Sequence, residues 1–219
     1  MDFEFIRAYT PLYAEAAGMT LRISFLGILL SAAIGLLCSL VKIFKIPVLR
    51  SIVNGYIEVS RNTPLLIQLF FLYFGLPKIG VVLSSESCAV TGLAFLGGSY
   101  MAEAFRTGIE QVPVIQSESG LSLGLTKWQV FRHIILPQAV TTSVPVFCAN
   151  IIFLIKETSV FSAVALADLM FVAKDLIGIY YKTDEALLML VAAYLIILLP
   201  ISLLCSWLER RVRYAEFGN

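Results

Sequence analysis

Glu58 with Arg61 and Glu103 with Arg106 are two acid–base pairs spaced three residues apart, each within or at the edge of an apolar run. That spacing puts both members on one helix face. Each pair therefore reads as an internal ion pair that neutralises charges an apolar setting penalises, or as part of a pathway for polar cargo. Lys156 and Glu157 are adjacent and point to different faces, and Asp168 lies inside an apolar segment, so these three are not explained as each other's partners. Other chemistries fall away. A lone His133 cannot build a two-histidine metal or protease motif, and no metal site is expected. Cys38, Cys88, Cys148 and Cys205 are too scattered for a CxxC site or a disulfide framework and read as packing residues. The stretch GLSLGLTK, from Gly120 to Lys127, approaches a phosphate-binding loop but has the wrong spacing and no Lys after its second Gly. ATP hydrolysis is not expected on this chain.

The elements that position these charges are set by composition. Of 219 residues, 59% are hydrophobic and 14% charged, against about 45–50% and about 25% in soluble domains. The net charge of +1 leaves no footprint for nucleic acid. A hydrocarbon core about 30 Å thick takes roughly 20 apolar helical residues to cross. Five stretches qualify, at about 19–41, 53–76, 88–105, 134–155 and 186–208. The expected fold is an all-α membrane bundle of five spans forming a single unit over 1–219. Residues 1–18 carry Asp2, Glu4 and Glu15 rather than a basic start, and do not read as a cleaved signal. With the N-terminus outside and the C-terminus in the cytoplasm, Lys42, Lys45, Arg50, Arg106, Lys127, Arg132, Arg210, Arg211 and Arg213 all fall inside, as the positive-inside rule requires. The stretch Thr158 to Tyr181 contains Asp168, Lys174 and Asp175 and reads as a partly inserted outer segment rather than a sixth span.

The longest inner segment, Arg106 to His133, has the pattern of a short amphipathic helix. Leu121, Leu123, Leu125 and Trp128 alternate with polar residues, and Ser117 or Thr126 can cap a helix start. Periodicity alone fits an interfacial helix on lipid headgroups or a docking helix for a soluble partner.

ESGLSLGLTKWQVFRHIILP resembles the EAA loop of ATP-binding cassette (ABC) importer permeases, with Glu118, Gly124, Ile134, Leu136 and Pro137 in register. Three further blocks resemble the polar amino acid branch of that family. They are Tyr56, Glu58, Arg61, Thr63, Pro64, Leu65, Leu66 and Gln68; Tyr100, Glu103, Arg106, Gly108 and Ile109; and PQA, Pro145, Asn150 and Lys156 to Val160. Together they cover about 18–170. The resemblance implies a type I importer permease in the bacterial inner membrane, taking up a polar amino acid by alternating access. Its implied partners are an ATPase dimer holding ATP and Mg, a second permease copy or paralogue, and an extracytoplasmic substrate-binding protein. This chain itself would hold no cofactor. Coupling is assigned to the loop at about 113–137, with Glu118 and Gly124 as coupling residues, Leu121, Leu125 and Trp128 as apolar anchors, and Pro137 closing the motif.

Ser119 and Gly120 replace the family's alanines, and Ile115 stands where a glycine is usual. Interior glycine costs about 0.8–1 kcal/mol relative to alanine, so the docking helix is expected to be less ordered than its relatives. An amino acid needs donors for its carboxylate and acceptors for its ammonium group. Arg61, Thr63, Lys156, Glu157, Ser159 and Asp168 can supply them, with Tyr100 and Asn150 as weaker candidates. A secondary carrier or channel subunit is the alternative, and a membrane-embedded enzyme stands third for want of an acid–base motif.

Overall fold

Apolar helical runs dominate the sequence, and the computed structural model is helical throughout its described residues, with no strand among them. It describes residues 1–44 and 46–217, with side chains through Val212, so Lys45 and the Arg213 side chain lie outside the described residues. Helix α1 (Phe3–Ile43) has 41 residues, about 61 Å at 1.5 Å per residue, and so starts well before the expected span at residue 19. Asp2 caps it by accepting from the Phe5 N–H at 3.1 Å. That bond and the Lys182 ammonium hold the Asp2 carboxyl below its ordinary pKa. The extra turns are anchored through Asp2 N–H to Glu185 Oε1 (2.8 Å), Lys182 Nζ to Asp2 (3.2 Å) and Tyr13 Oη to the Ala186 carbonyl (2.7 Å).

The second apolar run is not one helix. It comprises α2 (Pro47–Arg61), α3 (Leu65–Phe70), a π turn at Phe71–Gly75 and a 3-10 turn at Leu76–Ile79. Pro64 interrupts the expected span at 53–76, because it has no N–H and disfavours helical geometry in the residue before it. Helix α4 (Ser85–Glu110) is the central element, packed along α1 and against the helix at Leu136–Glu157. Close approach follows from small residues: a Cβ on Gly35 would lie 2.8 Å from the Ala102 backbone nitrogen. Ser31 Oγ donates across the same seam to the Leu93 carbonyl at 3.2 Å. Ile23, Leu69, Leu93, Leu154 and Phe161 form the core there, while Leu169, Ala173, Met189 and Ile197 join the short helix at Leu169–Tyr180 to the last helix.

The inner loop folds as α5 (Val114–Ser122) and α6 (Lys127–Val130), followed by a π turn at Phe131–Ile135 and α7 (Leu136–Glu157). A 3-10 turn at Thr158–Val164 leads to α8 (Leu169–Tyr180), whose 12 residues reach about 18 Å, too short to cross a bilayer. The final helix is α9 (Thr183–Phe217). By length and composition, Phe3–Ile43, Lys127–Val164 and Thr183–Val212 are long and apolar enough to cross a membrane. Their outward faces carry Phe25, Leu29, Leu37, Ile196 and Leu203 in the open, as lipid-facing surfaces do.

Candidate functional site: a polar recess and an exposed loop

Arg61 ends α2, where the C-terminal dipole favours a cation. Its guanidinium lies over the Tyr100 ring of α4, 5.0 Å from the centroid. The expected Glu58–Arg61 pair is absent. Glu58 instead accepts from Asn62 Nδ2 at 3.2 Å, because the helix stops at Arg61 and frees its side chain to reach the neighbouring helix. These residues line a recess of about 280 Å³ with Ile57 and Tyr100. It adjoins a second recess of about 470 Å³ that shares Glu58 and Arg61 and extends to Lys42, Arg50 and Glu103.

Glu103 bridges two helices. Its carboxylate accepts from Lys42 Nζ at 2.9 Å and from Arg106 Nη2 at 2.7 Å, and Arg106 also pairs with Glu110. The hydrogen bonds that Arg106 donates to Glu103 and then to Glu110 push its pKa above the ordinary value. The i, i+3 spacing pointed to Arg106. Only the packing of α1 on α4 brings in Lys42. Removing a partner from a largely buried pair strands the other charge. Glu103→Gln is therefore expected to cost about 2 kcal/mol in thermal unfolding of the detergent-solubilised protein, with part recovered in the Lys42→Met/Glu103→Gln double variant.

The other expected ligand residues do not converge on the recess. Thr63 Oγ1 donates to the Val59 carbonyl at 2.8 Å. Asn150 Nδ2 donates to the Tyr100 carbonyl at 3.2 Å. Lys156 is exposed, Glu157 and Ser159 are half-buried, and none of the three lines either recess. Asp168 corrects its expectation most clearly. It is 0% exposed and caps α8 by accepting from the Phe171 N–H at 2.9 Å, so cargo cannot reach it. The chain reverses at Ala165 (φ 55°) and then needs an N-cap, which Asp168 supplies.

The inner loop is a built helix–turn–helix. Gly124 sits at φ +83°, the left-handed region glycine tolerates. Leu125 N–H bonds the Gly120 carbonyl at 3.2 Å and Gly124 N–H bonds the Leu121 carbonyl at 3.0 Å, closing α5 as a Schellman motif. Thr126 then caps α6 in a reciprocal box with Gln129, at 2.8 and 3.3 Å. Ser117 is not a cap: it donates to the Val114 carbonyl within α5. Gly120 does not act as a loosening residue either. It is buried where α5 lies on the following helix, and a Cβ there would meet Ile134 Cδ1 at 2.7 Å and Val130 Cγ2 at 2.9 Å.

Outward from this frame stand Glu118, Leu121 and Pro137, all exposed, with Leu123 at 82% and Trp128 at 63% exposure and Leu125 half-buried. Leu123 and the exposed Val114 and Ile115 enlarge the apolar face beyond the expected anchors.

The sequence model of the family described as binding-protein-dependent transport system inner membrane component matches residues 27–214. The chain belongs to that family. It is 32% identical over 217 residues to the probable amino-acid ABC transporter permease protein PatM of Vibrio harveyi, covering 98% of this chain and 97% of PatM. It is 33% identical to the glutamine transport system permease protein GlnP of Escherichia coli (strain K12), covering 97% and 98% of the two chains. Its fold matches a chain in the crystal structure of an amino acid ABC transporter with histidines at TM-score 0.92 and 34% identity, over 96% of this chain and 99% of that one. An inward-facing MetNI methionine ABC transporter chain shares the fold at TM-score 0.73 and 20% identity. Membership of this permease family accounts for a helical membrane protein with a solvent-facing loop and favours neither a carrier nor a channel.

Proposed function

We propose that this chain is the permease subunit of an ATP-driven importer that takes a polar amino acid into the cell. One observation carries the reading: a loop locked by a Schellman turn and a capping box displays Glu118, Leu121, Leu123 and Trp128 to solvent, as a lever for a soluble motor must. Near-full-length similarity to amino-acid permeases supports the cargo class. The motor is a separate ATPase dimer carrying ATP and Mg. A second permease copy or paralogue completes the pathway, and an extracytoplasmic binding protein delivers the cargo.

The N-terminus is outside and the C-terminus cytoplasmic. Lys42, Arg50 and Arg106 gather at one end of the bundle with the loop, while Asp2, Glu185 and Lys182 tie its other end, and this asymmetry agrees with the positive-inside rule. Arg61 is suited to an amino acid's carboxylate and Glu58 to its ammonium group, since both border one recess. In proteoliposomes containing the assembled importer, uptake of a radiolabelled amino acid should require ATP and binding protein and persist when ionophores collapse all ion gradients. Uptake driven by a gradient without nucleotide would replace this reading with a carrier.

A further inference from the structure

Pro64 breaks the second apolar run and leaves a specific debt of hydrogen bonds. In a continuous helix the Ser60 carbonyl would accept from residue 64 and the Thr63 carbonyl from residue 67. Pro64 has no N–H, and the Ile67 N–H donates to the Pro64 carbonyl at 3.0 Å. Both of these carbonyls accept from one side chain, Gln68 Nε2, which lies 3.1 Å from Ser60 O and 3.0 Å from Thr63 O, while the Arg61 and Asn62 carbonyls between them belong to exposed residues. The preceding carbonyls are served locally, Val59 O by Thr63 Oγ1 at 2.8 Å and Glu58 O by Asn62 Nδ2 at 2.8 Å. Within a bilayer a broken helix persists only where such groups are satisfied from inside the protein.

Gln68 is 9% exposed, and its Oε1 has no hydrogen-bond partner among the described residues. The residue lines an apolar groove of about 450 Å³ with Val59, Ile67, Phe71 and Phe95. A π turn follows at once, at Phe71–Gly75, so the chain departs from α geometry on both sides of α3. The clasp thus spends both donors on the break and leaves its acceptor open, which suits a joint that is held and can still exchange partners.

We infer that Gln68 is a positioning residue for transport. Its carboxamide clasps the break at Asn62–Pro64 and thereby keeps Arg61 over Tyr100 and facing the polar recess, and it yields when α3 moves relative to α2. The inference rests on the import reading above.

The test uses the complete importer in proteoliposomes with its ATPase and binding protein. Gln68→Leu should lower the maximal ATP-driven uptake rate about tenfold, leave the KM for loaded binding protein within about twofold and retain the ATPase. Pro64→Ala/Gln68→Leu, which returns an N–H to the Ser60 carbonyl, should regain membrane accumulation and thermal stability but not uptake. Recovery of uptake together with stability would make Gln68 merely structural, and wild-type uptake in Gln68→Leu would overturn the inference directly. If Gln68→Leu does not accumulate, Pro64→Ala alone decides: it should assemble with reduced uptake, and full uptake overturns the proposal. Absence of ATP-driven uptake in the unaltered importer refutes the import reading instead, so the two failures are distinct.

Discussion

Trp128→Ala combined with Leu123→Ala should release the ATPase from this permease, weakening retention on the tagged complex at least about thirtyfold. The magnitude follows from the character of the face. Anchors at the centre of an interface typically contribute about 2 kcal/mol or more on truncation, and about 1.4 kcal/mol is a factor of ten. Both side chains are largely exposed, at 63% and 82%, so their removal leaves the fold of the subunit intact. The capping box between Thr126 and Gln129 still starts α6 in the double variant. Gly124→Ala attacks the same coupling differently, because alanine at φ +83° is strained by about 1 kcal/mol and loosens the turn between the two short helices. Retention measured by co-purification and by binding kinetics separates the two routes. A double variant that holds the ATPase as tightly as wild type would remove this face from the coupling interface.

Gly108→Ala should prevent α4 and α7 from seating and cost about 3 kcal/mol, the upper part of the range for overpacking. A Cβ at Gly108 would fall 1.7 Å from Ser143 Oγ and 2.6 Å from the Ala139 carbonyl oxygen. The hydroxyl can rotate away, but the backbone oxygen cannot. The seam also carries Thr142 Oγ1 to the Gly108 carbonyl at 3.0 Å and Ser143 Oγ to the Ala104 carbonyl at 3.3 Å, which separation would break. Ser143→Ala in the same chain should therefore restore only part of the thermal stability. Gly18 supplies the contrast. A Cβ there meets nothing within 4 Å, so Gly18→Ala should be neutral or gain up to about 1 kcal/mol from helix propensity. Equal losses at the two positions would point to composition rather than close approach.

Much of the site was legible residue by residue, and the reasons for the failures differ. Gly124 was legible only as a coupling residue and proves also to hold the left-handed position of the turn, whereas Thr126 announced a cap, and α6 starts with it, because cap chemistry is local. Glu103 with Arg106 was readable for the same reason, since three residues on one helix fix their proximity. The identical spacing at Glu58 and Arg61 misled although both lie on α2, because at the end of that helix Arg61 turns to the Tyr100 ring of α4 and Glu58 accepts from Asn62 instead. Pro64 carried the signal for that break, and Gln68, four residues beyond it, was the matching signal for its repair. Asp168 was read as cargo-facing from its charge in an apolar stretch, whereas its neighbours needed an N-cap. Gly120 was judged on helix propensity and proved to be a packing position.

By itself the sequence determined the membrane setting, the apolar runs, the cap at Thr126 and the family resemblance that the comparisons then bore out. These depend on hydropathy and on spacings of three or four residues, which are properties of a single segment. Only the tertiary structure decided which charges meet. Lys42 reaches Glu103 across 61 positions because α1 lies along α4, Arg61 leaves Glu58 for Tyr100 because α2 ends beside α4, and Asp168 is sealed because α8 folds back on the bundle. A charge in an apolar setting must find compensation, and where it finds it depends on which helices pack together rather than on its neighbours in the chain.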